Sequence, residues 1–433
     1  MTKKEKVVIK WGPHMRNKLN FLDVFAGGGG LSEGFTRAGY SPVAHVEVNK
    51  AACYTLKTRM VYHWLKNHDR LSEYYDYLHG RISRSQLYNL VPGAETASVI
   101  NAEIGKQTIS KIFKQIDALL KGRQLDLIVG GPPCQAYSMV GRNRDKKRMF
   151  GDKRNYLYIY YAKFLKKFKP RYFVFENVTG LLSAKTPEGK FYFNEMRELF
   201  RKSGYETEYK ILSTNNYGVP QTRKRIILVG RKGKKTGFYP EPATWQQNET
   251  IEEIFQDLPS LQAGKGSPLP CRIGKYSGKY LYEAEIKKDE TPVTWHIARP
   301  HTEQDLEIYR IAVQKWNAQK QRLDYNDLPE RLKTHKNRRS FLDRFKVVAS
   351  DLPTSHTVVA HISQDGHFYI HPDINQNRSL TPREAARLQT FPDDYFFESS
   401  SGIHGRTPAF SQIGNAVPVL FAQKIAEGLL EVW

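Results

Sequence analysis

The stretch Phe21-Leu-Asp-Val-Phe-Ala-Gly-Gly-Gly-Gly30 decides the fold, because a short apolar run leads directly into four glycines. This pattern is typical of the turn between a strand and the next helix of an α/β sheet. Glycines at such a turn let a ligand approach both the backbone and the amino end of the helix. The stretch therefore predicts an α/β sheet with a candidate binding site at the end of its first strand. A tight glycine turn without a ligand is the alternative.

Apolar runs and helical patterns alternate through the first half of the chain. Further strands are predicted over 43–48, 126–129, 172–175 and 225–229, and helices over 105–120 and 157–168. This alternation predicts βαβ units and a doubly wound, mostly parallel sheet. Residues 58–98, which are rich in Tyr, His, Arg and Leu, predict an inserted helical segment.

The second half of the chain has a different character, since Gly, Pro and mixed charge follow Gly230 up to about residue 300. We place a domain boundary near residue 245. Beyond it, the sequence predicts a hairpin from 357–363 and 367–371. A capping box at Thr381-Pro-Arg-Glu384 predicts the start of a helix, and a last helix is predicted over 413–430.

The composition excludes several classes of protein. The chain has 433 residues, and its 67 Lys and Arg against 44 Asp and Glu give a net charge of +23. Its three cysteines are too few for a disulfide framework. No apolar run is long enough for a membrane span or a secretory signal. We therefore expect a cytoplasmic protein that does not bind a membrane.

The charge surplus predicts a polyanionic partner, with nucleic acid as the first candidate, although basic residues also serve solubility alone. Seven basic residues cluster in the second half and are opposed within their span only by Asp343: Arg331, Lys333, Lys336, Arg338, Arg339, Arg344 and Lys346. This cluster is a candidate contact to a phosphate backbone, and a solvated helix face is the alternative.

An acid follows the glycine turn at a spacing that suits a nucleoside ligand. Glu47 lies 20 residues after Gly27, at the end of the next predicted strand, where a carboxylate can accept hydrogen bonds from ribose hydroxyls. A dinucleotide fingerprint would need a third glycine at position 32, where Ser32 stands instead. The pattern therefore favours a nucleoside cofactor without a pyrophosphate.

A cysteine and three charged residues stand where reactive groups of α/β proteins lie. Cys134 follows the predicted strand 126–129 in a loop stiffened by prolines, which makes it a candidate nucleophile rather than a small buried hydrophobe. Glu176, Arg223 and Arg225 lie at or beside the ends of two further strands. Each alone would most often be part of a surface ion pair, but their convergence on one sheet edge indicates a shared site.

Six ordered motifs, taken together, resemble those of the DNA (cytosine-5)-methyltransferases of bacterial or phage restriction–modification type. The motifs are Phe25-Ala-Gly-Gly-Gly29, Pro133-Cys-Gln135, Glu176-Asn-Val178, Gln221-x-Arg-x-Arg225, the stretch 378–395 and Gln412-Ile-Gly-Asn-Ala-Val-Pro418. The resemblance implies an S-adenosylmethionine-dependent methyltransferase fold, a Rossmann-like doubly wound mixed sheet with a second, smaller target-recognition domain. The implied division is a catalytic domain over 1–245, a target-recognition domain over 246–410, and a helix over 411–433 that returns to the catalytic domain.

The resemblance also implies roles for individual residues. Cys134 would attack C6 of the cytosine, Glu176 would hold or protonate N3, Arg225 would hold O2, and Arg223 would orient the glutamate. The S-adenosylmethionine site would comprise Phe25, Gly27, Gly29, Glu47, Glu103, Ile104, Pro132, Leu157, Asn415 and Ala416. The contacts to DNA would come from Gln135, Ser138, Arg142, Arg144, Arg338 and Arg339.

The implied partner is double-stranded DNA, together with a cognate restriction endonuclease that acts on the same sequence. We expect a monomer. We predict no metal site, because His356, His361, His367 and His371 have no paired cysteines. The alternatives are an RNA cytosine-5 methyltransferase and a non-catalytic DNA-binding relative. The extended segment 231–376 favours DNA, and the presence of the four candidate catalytic residues favours an enzyme.

Overall fold

The fold is organised around one central seven-stranded sheet in the order β3-β2-β1-β4-β5-β7-β6. The computed structural model describes residues 18–133, 153–233, 236–402 and 404–433. The strands are β1 Asn20–Val24, β2 Ser41–Glu47, β3 Val99–Asn101, β4 Leu127–Gly130, β5 Tyr172–Val178, β6 Tyr205–Ser213 and β7 Lys224–Lys232, with a separate pair formed by β8 Gly266–Ser267 and β9 His296–Ile297. Strands β1 to β5 are parallel, whereas β7 runs antiparallel to both β5 and β6. The predicted mixed α/β sheet is confirmed, and β3 and β6 are strands that the sequence did not predict.

Fourteen helices are described. They are α1 Gly30–Arg37, α2 Lys50–Asn67, α3 Leu71–Leu78, α4 Arg84–Asn89, α5 Gly93–Ala97, α6 Ile109–Leu120, α7 Leu157–Phe168, α8 Tyr192–Lys202, α9 Ile251–Phe255, α10 Tyr280–Glu283, α11 Glu303–Gln319, α12 Pro382–Leu388, α13 Arg406–Asn415 and α14 Val419–Glu431. In the described part of the chain, none of them is both long enough and apolar enough to cross a membrane.

Both faces of the sheet are covered, as expected for a doubly wound fold. Along β5, Tyr172 and Val174 belong to one hydrophobic core, whereas Phe173 and Phe175 belong to another. Successive side chains of a strand point to opposite faces, so an almost continuous apolar run is needed when both faces are buried. This requirement explains why the strands were recognisable from short apolar runs.

The segment 58–98 is helical, as predicted, but its first helix starts earlier. Helix α2 begins at Lys50, because the Asn49 side chain accepts a hydrogen bond from the Ala52 N–H at 3.0 Å and so caps the first turn. Helices α3, α4 and α5 follow and lead the chain to β3.

The hairpin predicted for 357–371 is wrong. Residues Ala360–Ser363 form a 3₁₀ turn, and Ile370 instead bridges Val347 and Ser379. The physical reason lies in Arg299, which donates to the carbonyls of residues 362, 363 and 364 at 3.0, 3.1 and 2.7 Å and so occupies groups that a hairpin would need.

The capping box is confirmed, whereas the single last helix is not. The Thr381 side chain accepts from the Glu384 N–H, and the Glu384 carboxylate accepts from the Thr381 N–H, at the start of α12. The predicted helix over 413–430 is divided between α13 and α14, since Pro418 has no N–H to continue the helix from α13. Helix α14 then packs against α1 so closely that a Cβ added at Gly34 would lie 2.5 Å from that of Ala422.

Helix α12 carries buried arginines that are fully paired. Arg387 is inaccessible to solvent and contacts Asp393 at 2.7 Å and Asp257 at 2.5 Å. Burial alone would raise the pKa of Asp257, but the charges of Arg387 and Lys287 hold it below its usual value. The network joins residues that are far apart in sequence, and the proposed division into domains stays a prediction.

We expect Arg387→Met to lower the free energy of unfolding by about 3 kcal/mol, because the buried Asp257 and Asp393 carboxylates lose their shared partner and keep only Lys287 and Arg383. The matched control is Lys167→Met, which removes a partner from the exposed pair with Asp117 and should cost less than about 1 kcal/mol. Urea unfolding measures both values. Equal costs for the two variants would contradict the argument.

Candidate active site

The glycine turn lies at the carboxyl end of β1 and is held by β2. Phe25, Gly27 and Gly29 all have positive φ, at 62°, 54° and 86°, and Gly29 is the N-cap residue that precedes α1. The N–H groups of Phe25 and Ala26 donate to the Val46 carbonyl at 2.9 and 3.2 Å. The turn therefore has a fixed geometry with three residues in the left-handed conformation. Two of them are glycines, which adopt this conformation without strain.

Glu47 lies beside this turn, as its spacing predicts. Its two carboxylate oxygens accept the N–H groups of Gly27 and Asn49, each at 2.8 Å. A carboxylate oxygen can accept more than one hydrogen bond, so both oxygens retain capacity for a ligand hydroxyl. The acid thus shapes the turn and still has acceptor capacity for a ligand.

One side of the turn is open and the other is closed. A Cβ added at Gly27 would meet no atom within 4 Å, whereas one added at Gly30 would lie 2.1 Å from the Val417 carbonyl oxygen. The Tyr395 hydroxyl donates to the Gly28 carbonyl at 2.8 Å. The open side provides the space that a nucleoside cofactor requires. Tyr395 is a contact that sequence reasoning missed, because its partner lies 367 residues away.

The other residues predicted to bind the cofactor lie just after a strand or at one end of a helix. Glu103 is exposed and Ile104 is buried just after β3, Pro132 is buried after β4, and Leu157 begins α7. Asn415 is exposed at the last position of α13, and Ala416 is buried beside it. Phe25 is partly buried in the turn itself.

Two buried polar side chains, Asp23 and His45, lie on the strands β1 and β2 close to the turn. Asp23 of β1 is inaccessible to solvent, and burial followed by the negative charge of Glu47 raises its pKa well above the usual value. His45, opposite it on β2, contacts the Ser32 hydroxyl at 2.6 Å, and burial lowers the pKa of His45 to about 4. Both shifts favour the uncharged forms of Asp23 and His45, so this pair of residues is polar but carries little charge.

Glu176 and Arg225 form an ion pair at the ends of β5 and β7. The distance from Glu176 Oε1 to Arg225 Nε is 2.7 Å, and the two side chains are only 13 % and 12 % exposed. The pair is therefore largely buried rather than a surface pair. A Cβ added at Gly131 would lie 2.8 Å from Glu176 Oε2, so the glutamate packs directly on the loop that leads from β4 towards Cys134.

Arg223 lies just before β7, and its implied role beside the glutamate stays a prediction. Arg223 is buried and donates to the carbonyls of Val358 and Gly414 at 2.5 and 3.4 Å, whereas the ion pair with Glu176 is made by Arg225. The reason is the strand geometry, since Arg225 lies within β7 opposite Val178, whereas Arg223 precedes the strand.

Gln221 is a structural residue for which the sequence indicated no role. Its side-chain amide donates to the Leu388 carbonyl and to Gln389 Oε1 at 2.7 and 2.8 Å, and its oxygen accepts from the Val358 N–H at 3.0 Å. Three separate segments are joined in this way. Only the motif Gln221-x-Arg-x-Arg225 could have drawn attention to it.

Several predicted residues lie outside the described part of the chain: Cys134, Gln135, Ser138, Arg142 and Arg144. Arg338 and Arg339 are exposed in the short 3₁₀ helix Arg338–Phe341. Arg338 pairs with Glu330 at 3.0 Å.

The basic cluster of 331–346 has more acidic partners than its own span provides. Five of its seven cations form ion pairs, and the acids are Glu307, Glu330, Asp343 and Asp365. Asp343 is the only acid within the span itself, and the other three acids come from outside it. Within the described residues, Lys336 and Arg339 have no acidic group within 4.0 Å.

The four histidines that we considered as metal ligands have other contacts. His356 contacts the Phe368 carbonyl, His361 contacts Arg344, and His367 contacts the Tyr309 hydroxyl. His371 Nδ1 accepts from the Asp373 N–H. In the part of the chain that the structure describes, no three side chains of His, Cys, Asp or Glu gather closely enough to hold a metal ion.

The order of the sheet, its antiparallel β7 and the glycine turn beside Glu47 form the doubly wound mixed fold that the resemblance to methyltransferases implied. Comparison of the fold agrees, since a solved chain from a prophage of E. coli, assigned as a DNA modification methyltransferase, aligns with a TM-score of 0.62 and 21% identity over 96% of this chain and 99% of its own.

Comparison of the sequence is more specific. The model of the family described as C-5 cytosine-specific DNA methylase matches residues 19–76 and 95–431. The Type II methyltransferase M.Bpa9945I of Bacillus paralicheniformis is 42% identical over 95% of this chain and 98% of its own length. M.DdeI of Desulfomicrobium norvegicum, another Type II methyltransferase, is 29% identical over 94% and 88%. The chain belongs to the C-5 cytosine-specific DNA methylase family and is a DNA (cytosine-5)-methyltransferase, as the resemblance implied.

The open and closed sides of the turn predict unequal costs for two glycine substitutions. Gly27→Ala should cost about 1 kcal/mol, because only the positive φ is strained. Gly30→Ala should cost about 3 kcal/mol, because the added carbon collides with the Val417 carbonyl. Urea unfolding of the two variants measures the difference. If Gly30→Ala were the milder change, the packing of the carboxyl-terminal segment on the turn would be disproved.

Proposed function

We propose that the chain transfers the methyl group of S-adenosylmethionine to C5 of a flipped-out cytosine in a specific duplex DNA sequence, through a covalent adduct between Cys134 and C6. The observation that supports this most is the buried pair of Glu176 and Arg225, packed on the loop that leads to Cys134. Type II methyltransferases among its relatives support a role in protecting DNA from a cognate restriction endonuclease.

The mechanism that we propose starts from the low nucleophilicity of cytosine C5. The Cys134 thiolate forms a bond to C6, and the electron pair released into the ring is accommodated when Glu176, in its protonated form, gives its proton or a hydrogen bond to N3. The contact with Arg225 fixes the glutamate, and the remaining guanidinium N–H groups can hold the O2 atom of the base. C5 then forms a bond to the methyl carbon, the bond between this carbon and the sulfonium sulfur breaks, and S-adenosylhomocysteine leaves. Loss of the C5 proton and elimination of the thiolate give 5-methylcytosine and free Cys134.

S-Adenosylmethionine supplies the methyl group when it is bound, and the residues at the turn fit it. Glu47 retains acceptor capacity for the ribose hydroxyls, and the open side of Gly27 leaves room for the ligand against the backbone. The side chain of Phe25 and the apolar Ile104, Pro132 and Leu157 would enclose the adenine side. The rest of the binding site would be formed by Glu103, Asn415 and Ala416.

The DNA contacts are proposed from charge and position. Extrusion of a base from the duplex costs a few kcal/mol, which the loop residues Gln135, Ser138, Arg142 and Arg144 would offset by contacts in the opened duplex. Arg338 and Arg339 would contact phosphates, so the affinity should fall with added salt. We infer that the enzyme acts as a monomer in the bacterial cytoplasm, with recognition of the base sequence in 246–410.

We expect transfer of tritiated methyl groups from S-adenosylmethionine to duplex DNA and none to tRNA. Cys134→Ala should abolish the transfer, because the variant has no thiolate at this position to form the proposed adduct with C6. Duplex DNA that carries 5-fluorocytosine at the target should become covalently bound to the wild-type chain and not to the variant. The adduct is trapped because C5 carries fluorine in place of the proton whose loss allows the thiolate to leave. Transfer to tRNA alone would favour the RNA enzyme, and DNA binding without transfer would favour the non-catalytic relative.

Loss of the Arg225 guanidinium should affect chemistry more than stability. We expect Arg225→Ala to lower kcat by about 100-fold, because the transition state loses one positioned donor and Glu176 loses its partner. Lys224→Ala, an exposed neighbour on the same strand, is the matched control and should leave kcat unchanged. Single-turnover methylation of duplex DNA measures both. An unchanged rate for Arg225→Ala would exclude the proposed role of the ion pair.

A further inference from the structure

Residues 77–94 have no role in the activity described so far. They lie between the two ranges that the family model matches, and they include the end of α3 and all of α4. Two side chains of this segment, Tyr77 and Arg84, nevertheless reach a carboxylate more than 300 residues further along the chain. The segment is therefore more than a surface extension.

The carboxylate in question belongs to Glu398, which is only 2 % exposed. Its Oε1 atom accepts the Tyr77 hydroxyl at 2.5 Å and the Thr58 hydroxyl at 2.7 Å, and its Oε2 atom accepts Arg84 at 3.3 Å. The Glu398 N–H donates to the Thr55 hydroxyl at 2.7 Å. A buried carboxylate is stable only when such donors replace water, so these contacts fix the position of the backbone at residue 398.

From Glu398 the contacts continue to the glycine turn. The Glu398 carbonyl accepts the side-chain amide of Gln412 at 2.9 Å. Gln412 in turn packs on the turn, because a Cβ added at Gly28 would lie 3.2 Å from its Cβ. Thus Gln412 is the only residue between Glu398, which accepts the Tyr77 hydroxyl, and the backbone of the turn in this series of contacts.

The other end of the same short segment is held in a similar way. The Asp394 carboxylate accepts Arg59 at 3.0 Å, and the Asp394 carbonyl accepts the Tyr74 hydroxyl at 2.7 Å. The neighbouring Tyr395 donates to the Gly28 carbonyl. Residues 394–398 are therefore held by helices α2 to α4 on one side and contact the glycine turn on the other.

We propose that segment 77–94 is a positioning element for the S-adenosylmethionine site, and that Tyr77 and Arg84 act as positioning residues on the glycine turn through Glu398 and Gln412. The inference rests on the proposed function in one respect, the assignment of the turn at 25–30 to S-adenosylmethionine. A positioning role of Tyr77 and Arg84 and a role in core packing alone predict different results. A packing role lowers stability alone, whereas a positioning role changes the affinity for the ligand of the turn.

The test uses the full chain with the substitution Tyr77→Phe, which removes one donor from Glu398 and keeps the ring. The matched control is Tyr205→Phe, because Tyr205 is also buried and its hydroxyl donates to the Pro170 carbonyl at 2.7 Å in the core on the other face of the sheet. Calorimetry with S-adenosylhomocysteine gives Kd, and steady-state methylation gives KM for S-adenosylmethionine and for DNA.

We expect Tyr77→Phe to raise Kd for S-adenosylhomocysteine and KM for S-adenosylmethionine about three- to tenfold, with KM for DNA and kcat within twofold of the wild type. Arg84→Met should act in the same direction, and Arg84→Lys should restore part of the affinity. Tyr205→Phe should leave all of these constants unchanged. Unchanged Kd values in Tyr77→Phe and Arg84→Met, with only a lower Tm, would overturn the proposal, as would an equal change in KM for DNA.

A second measurement does not depend on the ligand. Native-state hydrogen exchange should show faster exchange of the Gly29 and Glu33 amides in Tyr77→Phe than in Tyr205→Phe, because these amides form the hydrogen bonds of the turn and of the first turn of α1. Equal exchange in the two variants would overturn the positioning role. Absence of S-adenosylhomocysteine binding in the wild type, together with faster exchange in Tyr77→Phe, would instead contradict the proposed function alone.

Discussion

The structure depends on one contact between residues that are far apart in sequence, the packing of segment 395–417 on the glycine turn at 25–30. Tyr395 donates to the Gly28 carbonyl, and the Val417 carbonyl lies where a side chain at Gly30 would be. Because this contact leaves no room for a Cβ, the turn must be glycine on its closed side. On its open side, glycine is needed instead for the positive φ of Gly27. The same four glycines thus satisfy two separate constraints, one from the fold and one from the site.

The position of segment 395–417 is in turn determined by buried charge. Arg383 and Arg387 are inaccessible to solvent, and their donors go to acids and to carbonyls such as those of Thr294 and Pro392. Such groups are costly to bury, so their stabilising effect requires every donor to find its acceptor. Arg383 also donates to the Tyr395 carbonyl at 3.0 Å, so the network is joined directly to the start of the segment. The glycine turn of the first strand is thereby completed by residues more than 360 positions further along the chain.

The sequence predicted the elements whose causes are local. An apolar run before the glycines identified β1, and the pair Thr381 and Glu384 identified the start of α12, because both signals lie within a few residues. The hairpin near 365 failed because Arg299, more than 60 residues away, takes its carbonyls. The contacts of Gln221 and Tyr395 could not be predicted for the same reason. Motif order identified the candidate site residues, but it could not show that Arg225 forms an ion pair with Glu176.

The surplus of 23 positive charges is also clearer in three dimensions. Among the described residues, six cations are buried, at 59, 223, 287, 378, 383 and 387, and seven acids are buried, at 23, 33, 257, 384, 393, 394 and 398. The buried charges therefore nearly cancel, and the surplus lies outside the core. The cluster at 331–346 contributes less of it than its sequence indicates, because Glu307, Glu330 and Asp365 approach from outside its span. A field that extends over much of the surface attracts DNA without regard to base sequence. Sequence-specific recognition must therefore come from a few placed side chains, not from the charge itself.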